Sequence, residues 1–82
     1  MRVWITKWAL SKGIQEMDAE DQYQPMTPGV VRVKDKYNSF TYYRSGDWHL
    51  THASAVAHAE DMRARKIVSL RRQIAKLEKL TF

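Results

Sequence analysis

The pattern of apolar and polar positions divides the chain near residue 50. Before it, short β-branched and aromatic runs alternate with turn residues, as strands do. Over residues 51–80 apolar residues recur every three or four positions, with neither Gly nor Pro among them. That spacing predicts one long amphipathic helix.

Val3-Trp4-Ile5-Thr6-Lys7-Trp8 reads as the first strand. Trp4, Trp8 and Leu10 would share one face and Val3 and Ile5 the other, which suits a central or wrapped strand. Ser11-Lys12-Gly13 predicts a turn. Residues 14–20 predict a second strand, with Met17 and Ala19 toward the core and Glu16, Asp18 and Glu20 toward water. Residues 21–29, holding Pro25 and Pro28, form the longest loop. Residues 30–34 and 40–44 predict a hairpin, and Trp48-His49-Leu50 a last short strand or the entry to the helix. Tyr42 and Tyr43 are adjacent, so on a strand one of them must point outward. The expected fold is α+β: a small antiparallel β-sheet or SH3-like barrel of four to five strands, followed by one long C-terminal amphipathic helix. Both belong to a single domain, residues 1–82, with the β part over 1–50 and the helix over 51–80.

Thr51 is the expected N-cap, because its hydroxyl can accept from a free amide of the first turn. At 100° per residue, Val56, Ala59, Ile67, Leu70, Ile74 and Leu77 fall on one stripe, with Arg63 inside it. The first half of the stripe is small enough to sit against a sheet. The second half is spaced 3-4-3, like the apolar seam of a coiled coil. About 28 helical residues span roughly 42 Å, whereas ~50 compacted residues make a body roughly 25 Å across. About ten residues therefore overhang the body. A second copy is the expected cover, which makes the chain a homodimer through Ile67, Leu70, Ile74 and Leu77. The alternatives are an elongated sheet that buries the whole stripe within the chain, and a tail that frays.

Composition narrows the functional classes. There is no Cys among the 82 residues, which excludes disulfides and thiolate metal sites. The 44% apolar content and nine aromatics argue for a folded chain. Of the formal charge of +5, residues 52–82 carry most, with seven Lys/Arg against three Asp/Glu. Arg65, Arg72, Lys76 and Lys79 lie opposite the apolar stripe. Together with Tyr43 and Arg44 they are candidates for binding nucleic acid or an acidic partner. Trp4, Trp8, Tyr37, Phe40, Tyr42, Tyr43 and Trp48 are interleaved with Lys7, Arg32, Lys34, Lys36 and Arg44, the mixture that grips single strands by stacking and charge. A solvated helix face and a core built from these aromatics are the competing readings.

Glu16, Asp18, Glu20 and Asp21 read as the wet face of an edge strand more readily than as a cation site. His49, His52 and His58 include no pair four apart and have no Cys companions, so no zinc site is expected. No glycine-flanked serine and no phosphate loop is present. The chain is expected to be no enzyme, with no cofactor, no small-molecule substrate and no membrane contact. The first apolar stretch, broken by Lys7, is too short to span a bilayer or to be a signal peptide, so a cytoplasmic protein is expected.

Trp4-Ile5-Thr6-Lys7, Leu10-Ser11-Lys12-Gly13-Ile14, Trp48-His49, Ala59-Glu60-Asp61-Met62-Arg63, Lys66-Ile67, Ser69-Leu70 and the ending Ile74…Leu77-Glu78-Lys79-Leu80…Phe82 resemble a family of small phage- and prophage-associated bacterial proteins. The resemblance covers nearly the whole chain. That family has no established activity, so the resemblance implies no functional residues. It does imply a setting in which small proteins act stoichiometrically, covering a host or defence protein complex in the manner of an anti-CRISPR inhibitor. A nucleic-acid-binding module and a structural or assembly component are the alternatives.

Overall fold

The computed structural model describes all 82 residues. In chain order it contains strand β1 (Arg2–Ile5), a helical turn α1 (Ala9–Lys12), strands β2 (Gln15–Asp18), β3 (Val31–Lys34), β4 (Phe40–Tyr43) and β5 (Trp48–His49), and helix α2 (His52–Glu78). β1 is the central strand of a three-stranded antiparallel sheet in the order β2-β1-β5. Val3 pairs with Met17, and Ile5 with both Gln15 and Trp48. β3 and β4 form a separate hairpin with Val31 opposite Tyr43 and Lys34 opposite Phe40. A single bridge, Ala19 to Val33, joins the two sheets. The strands therefore number five in two small sheets, and the pairings do not include an SH3-like barrel.

The alternation expected over residues 14–20 holds from Glu16 to Ala19, whereas Glu20, expected to face water, is half-buried against Arg32. Ala19 is buried and Met17 half-buried, while Glu16 and Asp18 are exposed. Val3 and Ile5 are fully buried, and with Ala19, Val31 and Tyr43 they form the core. Trp8, Met17, Val33 and Trp48 pack around it.

The first strand is shorter than its apolar run. After Ile5 the Thr6 amide donates to the Asp47 carbonyl (2.9 Å), and the chain turns into α1, where the Lys12 amide donates to Trp8 O (2.7 Å). Ala9, Leu10 and Lys12 are good helix formers. Gly13, at φ 77°, ends the turn as its C-cap. Trp8 and Leu10 are thus on a helical turn and do not extend the face of Trp4.

Gly29 ties the proline loop to the body. Its carbonyl accepts from Trp48 Nε1 (2.8 Å). Its φ is 81°, and a Cβ there would lie 2.9 Å from Ser45 Cβ, so both conformation and closeness favour glycine.

Thr51 caps α2 as expected: its hydroxyl accepts from the Ser54 amide at 3.1 Å. Thr51→Ala leaves that amide without a partner in the chain, and a loss of about 1 kcal/mol is expected in urea unfolding. Thr51→Asn, which can accept the same bond, should keep most of it.

Candidate functional site

The site is built from the half of α2 that has no cover. At its start, Ala55 is fully buried, and Val56 and Ala59 are half-buried. A shallow hollow between α1 and α2 is lined by Leu10, Ile14, Val56, Ala59 and Arg63. From Arg63 to Phe82 every residue is exposed. Ile67, Leu70, Ile74 and Leu77 show from 41% to 67% of their surface, and Leu80 is also open. The alternative of burial within the chain therefore does not occur. The molecule measures 59 × 26 × 24 Å. Its radius of gyration is 17.0 Å, against about 12 Å for a compact chain of this length. Helix α2 ends one or two residues before the expected boundary, with the Lys79 amide closing on Ala75 O.

The basic face opposite the stripe is present but unevenly free. Arg65 Nε lies 2.9 Å from Asp61 Oδ2, one turn earlier. Arg72, Lys76 and Lys79 form no ion pair and are exposed. Tyr43, expected at a binding surface, is a core residue only 3% exposed. It registers with Val31 on the inward face of the hairpin. Its ring meets Trp8 edge-on at 5.8 Å and its hydroxyl donates to Met17 Sδ. Burial pushes the phenol's pKa up. The outward residue of the pair is Tyr42. Arg44 is exposed, as expected.

On the outer face of the hairpin, Arg32 stands opposite Tyr42, and Lys34 opposite Phe40. Arg32 Nε donates to Glu20 Oε2 (2.7 Å). Its guanidinium carbon lies 4.6 Å from the Tyr23 ring centre and 4.2 Å from that of Phe40. Tyr23 and Tyr42 are 5.9 Å apart. Strand alternation alone could have put Arg32, Lys34, Phe40 and Tyr42 on one face. No sequence signal brings in Tyr23, which arrives from the proline loop.

A polar chain fastens α2 to the sheet. Thr6 Oγ1, fully buried, is 3.4 Å from Gly46 O and 3.2 Å from His49 Nε2, and His49 Nδ1 is 3.2 Å from Ser54 Oγ. If Thr6 donates to the carbonyl, it accepts from Nε2–H, and Nδ1 accepts from Ser54. A serine beside an imidazole is a start toward a nucleophile. Neither His49 nor Ser54 lines any of the surface hollows. Burial, and then the nearby His58 ring at 4.9 Å, lower the His49 pKa below its ordinary value of 6.5. Because the folded value is the lower one, the unfolded chain binds the extra proton. The stability from this contact is full above about pH 6.5 and is lost as pH falls through the folded value. Urea midpoints should therefore drop from pH 7.5 to pH 5, and less so in His58→Ala.

The acidic residues are taken up locally. Asp21 and then Asp18 hold the Met1 ammonium at 2.7 and 3.0 Å, raising its pKa, and Glu16 meets Arg2 at 3.4 Å. No three metal-ligating side chains converge, and no helix is long and apolar enough to cross a membrane. Comparison with models of protein families, with curated proteins and with solved structures found no match.

Proposed function

We propose that the chain is a non-catalytic binding protein that pairs with a second copy through the overhang of α2 and acts stoichiometrically on a larger protein complex. One observation carries this reading: Ile67, Leu70, Ile74 and Leu77 form an exposed apolar row on a helix that projects beyond its own domain. Isoleucine at the first position of each heptad and leucine at the fourth is the arrangement that favours two parallel strands. Joining two copies doubles a small binding surface, and the second contact of a linked pair forms at a high effective concentration. That gain suits a chain of this size working by occupancy rather than turnover. In this reading the partner is a host or defence complex, the setting suggested by the phage-like resemblance.

The association is modest. Burying four side chains that are already about half covered gains roughly 1 kcal/mol each per copy. Association itself costs at least ~4 kcal/mol. The difference, about 4 kcal/mol, corresponds to a Kd in about the millimolar range. Sedimentation equilibrium across that range should show the mass rising from one copy to two. A single copy at every concentration would overturn the proposal.

A further inference from the structure

The outer face of the β3–β4 hairpin has no role in the pairing of α2, and its chemistry is different. Phe40 and Tyr42 are 43% and 50% exposed. They lie two positions apart on one strand, on the same side, about 6.8 Å from each other. That is about twice the 3.4 Å rise of one nucleotide, so successive bases can meet the two rings only on an extended strand whose bases are not stacked on each other. Arg32, held by Glu20 and wedged between Tyr23 and Phe40, fixes the arrangement from within. The rings are therefore set in place before any partner arrives, which lowers the ordering cost of binding.

Charge on this face is uneven in a useful way. Asp35 accepts from the Tyr37 and Ser39 amides inside the hairpin turn (2.8 and 2.9 Å), and Glu20 is spent on Arg32. Lys34, Lys36 and Arg44 are exposed and form no ion pair. The ammonium groups of Lys34 and Lys36 lie 5.9 and 5.1 Å from the Phe40 and Tyr37 ring centres, so a base that stacks on Phe40 must displace Lys34 outward. Lys7, Arg44 and Asp47 border a hollow beside Tyr42. Open rings flanked by unpaired cations complement bases and phosphates together. A duplex keeps its bases stacked on one another and cannot offer them to rings. Glu20 and Asp35, which could accept from a ribose 2′-hydroxyl, are engaged by Arg32 and by the hairpin-turn amides, so the face has little means to select RNA.

We infer that the outer face of the β3–β4 hairpin is a stacking platform for single-stranded DNA, with Phe40 and Tyr42 under two successive bases and Lys34, Lys36 and Arg44 on the phosphates. The platform is independent of the helix pairing, and its test can succeed or fail alone.

The test is fluorescence anisotropy of a labelled oligo(dT) strand of about 12 nucleotides, titrated with the full chain. Binding should weaken with salt on a log–log slope of about −2 to −3, as expected for three or four phosphates on a single strand. Phe40→Ala with Tyr42→Ala should weaken it at least about tenfold. Phe40→Trp with Tyr42→Trp should restore it, which loss of folding would not allow. Arg72→Ala with Lys76→Ala, on the helix, should change affinity less than about twofold. A Leu70→Lys chain should bind as the parent does, since the platform lies within one copy. The inference is overturned by no binding at low salt, which would assign the face to a protein partner. It is also overturned if the alanine pair binds like the parent, if the helix variant loses the affinity, or if duplex DNA or oligo(U) binds about tenfold tighter.

Discussion

A Leu70→Lys chain is expected to sediment as one copy at concentrations where the parent is paired, its Kd raised at least about 100-fold. In the parallel pair, Leu70 meets its own counterpart in the middle of the seam. Lysine there removes two apolar contacts and places two ammonium groups against each other in a drying interface. The β domain should be untouched, because Leu70 is already 43% exposed in the single chain and lies in a stretch whose residues are all exposed. Fluorescence of Trp4, Trp8 and Trp48, all in the body, reports on this directly. The same arrangement sets Lys66 of one copy across from Arg71 of the other, a like-charged contact that weakens the pair. Arg71→Glu turns it into an attractive one on both sides and should tighten the dimer severalfold. Tightening by Arg71→Glu requires the parallel orientation, so a weaker dimer would overturn that orientation while leaving the pairing itself intact.

Ile5→Ala should have the largest effect on folding. Ile5 is fully buried at the centre of the three-stranded sheet, one of only four residues, with Val3, Thr6 and Ala55, that have no exposed surface. An isoleucine truncated in a core costs roughly 2–5 kcal/mol. A chain of this length has a total stability of about 4–12 kcal/mol, so the loss is a large share of it. Urea unfolding should show that loss, and the thermal midpoint should fall by roughly 10–30 °C. Ile74→Ala removes the same atoms from an exposed position and should leave a single copy within about 0.5 kcal/mol of the parent. A cost below about 1 kcal/mol for Ile5→Ala would mean that the core is not where Val3, Ile5 and Tyr43 place it.

Features governed by near neighbours were legible in the sequence. The N-cap at Thr51, the extent of α2, the alternation of Met17 and Ala19 with the carboxylates, and the overhang past Arg63 all depend on spacing within a few residues. Other features were decided by distant contacts. The run from Val3 to Trp8 has strand composition throughout, yet it bends after Ile5, where the Thr6 amide meets the Asp47 carbonyl forty-one residues away in the chain. Alternation required one of Tyr42 and Tyr43 to face outward, but only the register with Val31 settles that it is Tyr42. Arg32 was visible as one cation among several. Its place between Tyr23 and Phe40 depends on a loop whose path no local rule describes.

The projecting part of α2 also has a thermodynamic character of its own. Residues 63–78 make 16 positions, close to the length below which an isolated helix is marginal in water. All of them are exposed, so their helical order rests mainly on propensity and on the Asp61–Arg65 pair. Coiling and seating on a partner then become one coupled equilibrium, in which whatever lies against this segment also winds it. Amide protons from Arg63 onward would exchange quickly in a lone molecule and slowly in an occupied one, so their protection measures occupancy, residue by residue.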